Sequence, residues 1–311
     1  MPFFLGIDGG GSKTRCLVGD EGRLLAAGNS SSCKVQRVGE ACARDSLAAA
    51  IHEACVGAGT SPRQIARTCA GVTGAARPEI AGIMRGLISS IVGGEVEVVG
   101  DVEIGFEDAF GPGPGVIVIA GTGSIAYGRN AQGEIARAGG WGHAISDEGS
   151  GHWIGVAAIS AAMRASDRGE NPTLLKELMP ALGATTTEEL IVRVNANPPP
   201  DFASLFPVIL SAAQAPDAGD SIAHQVLEQA GRELAELAET VVRRLFTESD
   251  QVHVATHGGV FANSMQVKNS FVDNLRSQCP RATYNSKTID PALGALECAR
   301  RGFGSGTTDS L

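Results

Sequence analysis

The sequence predicts an α/β protein made of two similarly built halves, and three observations support this prediction. A strand, a Gly-rich turn with hydroxyl groups and a second strand occur at residues 3–18 and again at residues 116–127, about 110 residues further along. Segments with apolar residues at helical spacing follow each hairpin. A Pro/Gly-rich stretch, residues 110–115, separates the halves. Since a repeated strand-turn-strand unit indicates duplication, each half is expected to contribute one such loop.

The individual elements follow from apolar periodicity, taken in chain order. Short runs of branched apolar residues predict strands at 3–7, 16–18, 65–72, 95–99, 116–119, 125–127 and 252–256. Apolar residues three and four positions apart predict helices at 40–56, 78–92, 102–110, 153–168, 171–182, 187–194, 202–215, 220–246, 264–275 and 290–301. The stretch 28–39 is predicted to be a polar loop.

Length and charge limit the function classes. With 311 residues, one or two domains are expected. The net charge of −9 disfavours a general nucleic-acid or membrane-surface role, and no apolar run of 18 residues occurs. The N-terminus lacks the basic region of a signal peptide. We therefore expect a small-molecule partner rather than nucleic acid or a membrane.

The cysteines point to a reducing compartment. There are seven, an odd number, and no CxxC pair occurs, so a disulfide framework or a zinc site is not expected. Most stand among apolar neighbours and are predicted to be reduced core thiols, which favours a cytoplasmic location.

Both Gly-rich turns are predicted to bind phosphate. Glycines let backbone N–H groups approach an anion closely, and the hydroxyl groups add donors. The candidate phosphate-binding residues are Gly9, Gly10, Gly11, Ser12, Lys13 and Thr14 in the first turn, and Gly121, Thr122, Gly123 and Ser124 in the second. Either turn alone could be purely structural, but their matching context favours a ligand. Lys13 could contact phosphate or be a solvated turn cation.

Gly100 and Asp101 follow the end of the predicted strand 95–99. Ligands of α/β sheets gather beyond the carboxyl ends of strands, where catalytic groups are usually found. The alternative is that Asp101 is the N-cap of the helix predicted at 102–110.

These residues resemble the sugar kinase, hsp70 and actin superfamily: the two hairpins, Asp101 and the HGGV turn after strand 252–256. The segment GGWGHAISDEGSGHWIG is similar to the signature of N-acetylglucosamine kinases, which share a sequence family with BadF/BadG/BcrA/BcrD-type ATPases. The resemblance covers nearly the whole chain. It implies two ribonuclease-H-like, actin-like ATPase lobes with an interdomain cleft. Residues 1–111 would form the first lobe, joined by the C-terminal helix 290–302, and residues 112–289 would form the second.

The resemblance also implies roles for the candidate residues. ATP's phosphates would lie between the two turns, with the adenosine end near Gly258 and Gly259. Asp8 matches the acidic position that holds Mg²⁺, and Asp101 matches the catalytic base. The substrate-binding residues would be Asp101, Gly140, Trp141, Gly142, His143 and Asp147.

Simpler roles stay open for several of these residues. Asp8 could be a turn carboxylate without metal contact, and Asp147 could be a helix cap. Trp141 is expected to pack under the cleft rather than stack on sugar, and His143 to be a structural, hydrogen-bonding histidine.

The implied function is ATP-dependent phosphorylation of a hexosamine at its 6-hydroxyl, with N-acetylglucosamine or glucosamine as substrate and Asp101 as base. In N-acetylglucosamine kinases the loop after the first hairpin carries a sugar-binding Asn. Here Ser32 or Lys34 is nearest that place, so another hexose stays open, and Lys34 facing the site would disfavour glucosamine's ammonium. Similar kinases commonly dimerise, which makes a homodimer a candidate assembly. The alternative is an activator ATPase of a 2-hydroxyacyl-CoA dehydratase or benzoyl-CoA reductase system.

Overall fold

The computed structural model describes residues 1–11, 13–215 and 219–302, so Ser12 of the predicted phosphate loop lies outside the described residues. The chain forms two compact units. Unit 1 comprises Met1–Gly113 and the chain from Lys287 onward, and unit 2 comprises Pro114–Ser286. The sequence prediction divides the chain close by, after residue 111 and before residue 290.

Unit 1 contains a mixed five-stranded sheet in the order β3-β2-β1-β4-β5. Its strands are β1 (Phe3–Gly9), β2 (Lys13–Gly19), β3 (Leu24–Ser31), β4 (Ile65–Val72) and β5 (Glu95–Gly100). Strands β1, β2 and β3 form an antiparallel meander, whereas β4 pairs parallel to β1 and β5 pairs parallel to β4. The carboxyl ends of β1, β4 and β5 therefore share one edge of the sheet.

The prediction of a polar loop at 28–39 is wrong at both of its ends. Residues 28–31 belong to β3, where Asn29 pairs with Arg15 and Ser31 pairs with Lys13 of β2. Because β3 is an edge strand with several exposed positions, it lacks the apolar alternation that reveals strands. At the other end, residues 35–39 belong to a helix that begins at Val35. This helix is interrupted at Gly39, whose φ is 78°.

The helices of unit 1 are α1 (Val35–Gly57), α2 (Pro78–Ile91), α3 (Asp101–Phe110) and α11 (Pro291–Arg301). Helix α11 lies against β1 and α3. A Cβ on Gly6 would stand 2.3 Å from the Leu296 nitrogen, and a Cβ on Gly294 would stand 1.9 Å from the Ile104 oxygen. These glycines let the backbones touch, so the last helix of the chain completes the core beside its first strand.

Unit 2 repeats this strand order as β8-β7-β6-β9-β10. Its strands are β6 (Gly115–Ala120), β7 (Ser124–Arg129), β8 (Ile135–Gly139), β9 (Val252–His257) and β10 (Ala282–Asn285). The meander β6-β7-β8 is antiparallel, and β9 and β10 are parallel to β6. The predicted α/β class with two similarly built lobes is confirmed. Strands β8 and β10 were not predicted, since both are short and β10 is partly polar.

The helices of unit 2 cover this sheet. They are α4 (Gly151–Asp167), α5 (Thr173–Ala181), α6 (Thr187–Val194), α7 (Phe206–Ala213), α8 (Ser221–Leu245), α9 (Gly259–Asn263) and α10 (Met265–Gln278). The predicted apolar stripe of α8 is buried at Val226, Ala230, Leu234 and Val241, and it packs with the apolar residues of β6.

The seven cysteines are free thiols, five of them buried, as the sequence predicts. Cys42 is exposed and Cys298 is half-buried. Within the described part of the chain, every helix is too short or too polar to cross a bilayer.

Candidate functional site

Three polar side chains stand at the carboxyl ends of neighbouring strands in unit 1. Asp8 is the penultimate residue of β1, Thr73 follows β4, and Asp101 follows β5. Strand β4 pairs in parallel with both β1 and β5, which brings the three ends together. This is the edge at which open α/β sheets bind ligands.

Asp101 is held by a hydroxyl group. Thr73 Oγ1 donates to Asp101 Oδ2 over 2.7 Å, while Asp101 Oδ1 accepts from the Val102 nitrogen at 3.1 Å. Asp101 is the first residue of α3, and Gly100 occupies the N-cap position. The alternative in which Asp101 is the N-cap is therefore wrong. Its carboxylate is oriented by one side chain from the adjacent strand end.

Asp8 is a partly buried carboxylate in a negative environment. Loss of water contact is the main factor that raises its pKa to about 6, and Asp101 raises it further, against the opposing effect of Lys13. A cation at this position would offset both unfavourable effects.

The first hairpin turn is fixed by its neighbours. The Gly10 nitrogen donates to the Lys13 oxygen at 3.0 Å, and Ser32 Oγ donates to the Gly10 oxygen at 3.2 Å. Thr14 is fully buried, and its hydroxyl donates to the Ser31 oxygen at 2.7 Å. The side chain of Thr14 thus ties β2 to β3, which gives it a structural role in the loop.

The second hairpin turn is bound to the start of α4. The Gly151 nitrogen donates to the Gly121 oxygen at 2.8 Å, and the His152 nitrogen donates to the Thr122 oxygen at 3.2 Å. Ser124 Oγ donates to the Glu148 oxygen at 2.7 Å. The loop and the DEGS segment are therefore one hydrogen-bonded body within unit 2.

Asp147 faces this loop. Its backbone has φ 73°, and its Oδ1 accepts from the Ser124 nitrogen at 3.4 Å. A Cβ on Gly123 would stand 2.9 Å from Asp147 Oδ2, so the glycine makes room for the carboxylate. Burial raises the pKa of Asp147, opposed chiefly by the hydrogen bond from Ser124. The helix-cap alternative is wrong, because Ser150 caps α4 by accepting from the Trp153 nitrogen.

Residues 140–143 of the GGWGH segment are open to solvent. Trp141 is 60% exposed, and the Arg137 guanidinium lies 4.1 Å from its ring centroid. The expectation that Trp141 packs beneath other residues is wrong, because most of its side chain is exposed. The flanking Gly140 and Gly142 both have positive φ. His143 is also exposed, and its ring lies 4.8 Å from that of His152.

Gly258 and Gly259, predicted near the adenosine, follow β9. Gly258 has φ 104°, and a Cβ there would stand 2.3 Å from the Ala120 oxygen. Helix α9 begins at Gly259. The turn thus lies against the end of β6, directly before the second hairpin loop.

Sequence reasoning missed two residues of these clusters. Thr73 carries no motif, and its contact with Asp101 depends on the register of β4 with β5. His152 lies beside His143, with its ring edge-on to Phe202 at 5.3 Å, and burial lowers its pKa. The sequence signal that could have revealed His152 is its position as the second residue of the helix that follows the DEGS segment.

The described residues suit a cation held mainly by a bound ligand. Among them, no three His, Cys, Asp or Glu side chains converge as a metal cage. Mg²⁺ typically uses one or two carboxylates together with substrate phosphates and waters. Asp8, beside the first hairpin and with a raised pKa, fits that mode.

Comparison with known proteins identifies the family. The model of the BadF/BadG/BcrA/BcrD ATPase family matches residues 5–299. The chain belongs to this family. The sequence-based recognition is thereby confirmed, and membership implies that the chain uses ATP.

Two curated relatives are kinases of amino sugars. An N-acetylmuramic acid/N-acetylglucosamine kinase of Clostridium acetobutylicum is 36% identical, over 96% of this chain and 99% of the relative. An N-acetyl-D-glucosamine kinase of Dictyostelium discoideum is 27% identical, over 94% and 96%. A crystal structure from Chromobacterium violaceum, provisionally assigned as an N-acetylglucosamine kinase, superposes with TM-score 0.75 at 27% identity, covering 95% and 98% of the two chains. The prediction of an ATP-dependent sugar kinase is confirmed at this level.

Proposed function

We propose that the protein transfers the γ-phosphoryl group of ATP to the 6-hydroxyl of a hexosamine of the N-acetylglucosamine type. The observation that carries this proposal is Asp101, placed beyond β5 and held by Thr73 at 2.7 Å beside Asp8 and the first hairpin. The two amino-sugar kinases among the relatives support the substrate class.

Asp101 is the proposed general base. The sugar hydroxyl oxygen bonds to the γ-phosphorus, its proton passes to the Asp101 carboxylate, and the bond from phosphorus to the bridging β-phosphate oxygen breaks, releasing ADP. Since Thr73 donates to Oδ2, the carboxylate keeps a fixed orientation toward its proton donor. Positioned base catalysis of this kind contributes roughly 100- to 10,000-fold.

The two hairpin loops are the proposed phosphate ligands. Residues 9–11 and Lys13 of unit 1, and residues 121–123 of unit 2, would line the phosphates, with Lys13 as the cation. The Gly10 and Gly121 nitrogens already donate within their own turns, so the donors would come from the other residues. Mg²⁺, held by Asp8, would offset charge on the phosphates when bound. Gly258 and Gly259 are proposed to lie near the adenosine, and Asp147 is proposed to accept from sugar hydroxyls.

We further propose a cytoplasmic location, which the seven free cysteines support. Homodimerisation stays a prediction, as does the choice between N-acetylglucosamine and glucosamine. The activator ATPase alternative would be favoured by stoichiometric iron in the purified protein.

The decisive experiment is coupled ATP turnover with Mg²⁺ on N-acetylglucosamine, glucosamine, glucose and N-acetylmannosamine. N-acetyl-6-deoxyglucosamine, which lacks the proposed acceptor hydroxyl, serves as the matched control substrate. Turnover of one amino sugar and none of its 6-deoxy analogue supports the proposal. Turnover of the 6-deoxy analogue would contradict the 6-hydroxyl assignment, and turnover of no sugar would contradict the kinase itself.

A further inference from the structure

Cys69 and Cys298 are neighbouring thiols in unit 1. Cys69 lies in β4 and Cys298 lies in α11, and their side chains share a hydrogen bond. Cys69 is completely buried, whereas Cys298 is half-buried and packs against the same apolar cluster. One thiol of the pair is therefore accessible from solvent, and the other is enclosed by protein.

The backbone places the two cysteines close together independently of this hydrogen bond. Cys69 is the partner of Gly6 where β4 pairs in parallel with β1, so both positions face the same side of the sheet. A Cβ on Gly6 would stand 2.8 Å from the Leu296 Cα. Cys298 follows Leu296 by two residues on the same helix. Strand and helix are thus in close contact where the two thiols meet.

Two arginines hold the end of α11 around Cys298. Arg67 Nη2 of β4 donates to the Arg300 oxygen at 2.9 Å, which ties the strand to the last turn of the helix. Arg301 Nη2 donates to Cys298 Sγ at 3.7 Å and forms an ion pair with Glu107 of α3. The more accessible sulfur therefore has a positive charge beside it. Reactive cysteines typically lie in such partly exposed, electropositive surroundings.

A second group of thiols in unit 1 gives the contrast. Cys16, Cys33 and Cys55 belong to one apolar cluster, and all three are buried. Cys42 is exposed on helix α1. A dissolved oxidant can therefore reach Cys42 and Cys298, and Cys298 has the thiol of Cys69 directly behind it.

We propose that Cys69 and Cys298 are a site of reversible disulfide formation, with a peroxide as the oxidant, and that the bond stabilises the attachment of α11 to β4. The two side chains already touch, so the sulfur atoms need only approach to the bond length of about 2.05 Å. In a reducing compartment the pair stays in the dithiol form, in agreement with the free thiols of the structure. The site includes none of the residues proposed to bind ATP or sugar, so it does not rest on the proposed function.

The oxidation consumes one peroxide molecule for each disulfide. The Cys298 thiolate bonds to one peroxide oxygen, the O–O bond breaks, and the released hydroxide takes up a proton to become water. This step leaves a sulfenic acid on Cys298. The Cys69 sulfur then bonds to the Cys298 sulfur, the S–O bond breaks, and the departing hydroxide leaves as water with the proton of Cys69. The two thiols lose two electrons and the peroxide gains them. A dithiol reductant reverses the change.

The surroundings of Cys69 set the order of these two steps. The hydrogen bond with Cys298, followed by burial, raises the pKa of Cys69 well above its usual value. A neutral, buried thiol does not meet a dissolved peroxide, so Cys298 is oxidised first and Cys69 attacks second. Because a neutral thiol is a slow nucleophile, we expect the bond to form on the order of minutes to hours.

Mass spectrometry of the full-length protein tests the bond directly. The protein is treated with hydrogen peroxide, alkylated and digested with trypsin without reductant. Trypsin leaves Cys69 in residues 68–85, because it does not cut before Pro78, and it leaves Cys298 in residues 288–300. The expected product is these two peptides joined by a disulfide, which dithiothreitol separates. Cys42→Ser removes the exposed thiol of another helix and is the matched control, expected to leave the joined peptides unchanged.

Thermal unfolding gives a second readout. Peroxide-treated Cys42→Ser should have a Tm about 4 to 8 °C above that of the same protein after dithiothreitol, because a bond between distant positions restricts the unfolded chain. Cys298→Ser should lose both the joined peptides and this difference in Tm. Since Cys298 is half-buried, this variant is expected to fold, which its unfolding in the reduced state checks. Cys69→Ala should behave in the same way.

Three results would overturn the proposal. The first is a Cys298 that does not react with peroxide. The second is oxidation of Cys298 to sulfinic or sulfonic acid, or its joining to another protein molecule, without the joined peptides, because Cys69 would then not attack the sulfenic acid. The third is joined peptides without a dithiothreitol-dependent shift in Tm, because the bond would then not stabilise the attachment of α11. All three leave the proposed kinase function untouched, since neither readout measures phosphoryl transfer.

Discussion

The two hairpins share a strand order but differ in what surrounds their turns. In unit 1 the turn lies among ionisable side chains: Asp8, Lys13, Lys34, Arg37 and, beyond the neighbouring strand ends, Asp101. In unit 2 the turn is held by backbone bonds from the start of α4 and by Asp147. The same strand order therefore surrounds two turns that have different neighbouring side chains. Unit 1 holds the charged groups proposed to take part in proton transfer and phosphate binding, and unit 2 holds a turn that hydrogen bonds from its own helix fix.

The largest expected difference between the two units is in the effect of removing a carboxylate, Asp101 in unit 1 or Asp147 in unit 2. Asp101→Asn should lower kcat by roughly 100- to 10,000-fold, because the amide cannot accept the hydroxyl proton. Asp147→Asn should act chiefly through a raised KM for the sugar. Steady-state kinetics of both variants against sugar and ATP checks this. Equal losses of kcat would show that the two units do not divide the work in this way.

The role of Asp8 can be tested by measuring the free energy of unfolding rather than the rate of turnover. Its pKa is raised to about 6, so the folded protein binds this proton more tightly than the unfolded chain does. The stability it contributes is present below its ordinary pKa near 4 and is lost as the pH rises through about 6. Asp8→Asn should therefore raise the free energy of unfolding of the nucleotide-free, metal-free protein by about 2 kcal/mol at pH 7.5.

The same variant should show a much smaller gain at pH 4, where Asp8 is protonated in the folded protein and about half ionised in the unfolded chain. Denaturant unfolding at the two pH values measures the difference. A gain that does not depend on pH would mean that the pKa of Asp8 is not raised by burial and by Asp101. ATP turnover should fall in the same variant, separating stability from activity.

Substitutions of Thr73 test whether its hydroxyl positions Asp101 within unit 1. Thr73→Val removes the 2.7 Å hydrogen bond to Asp101 and should lower kcat about 10-fold with little change in KM. Thr73→Ser keeps a hydroxyl and should retain most of the activity. If Val and Ser behave alike, the hydroxyl does not position the base.

The smallest expected effect lies in the unit 2 turn. Gly123→Ala places a Cβ 2.9 Å from Asp147 Oδ2 and should cost about 1 kcal/mol of stability. Gly121→Ala meets nothing within 4 Å and should be neutral or stabilising by about 0.5 kcal/mol. Unfolding of the two variants side by side shows whether Asp147 holds the turn. Similar stabilities would argue that the carboxylate moves aside freely.

The sequence revealed those features whose signal is local. Asp8 lies at the end of an apolar strand, Asp101 directly follows another, and Gly-rich turns mark both hairpins, so their places at strand ends could be predicted. Strands β3 and β10 were not predicted, because both lie at sheet edges and edge strands need little apolar alternation. The contact of Thr73 with Asp101 and the contact of Asp147 with Ser124 were not predicted for a different reason. One depends on strand register, and the other on a left-handed backbone at a non-glycine residue.

The position of α11 has a consequence for biosynthesis. The backbone of β1 at Gly6 lies against Leu296, so β1 is covered by a helix that is synthesised after the whole of unit 2. Unit 2 is a single continuous stretch, Pro114–Ser286, and can be completed earlier. Although domains commonly fold in N-terminal to C-terminal order during synthesis, unit 1 can be completed only after α11 has been synthesised. Until then Phe4 of β1 lacks the apolar residues of α11 that bury it in the finished unit.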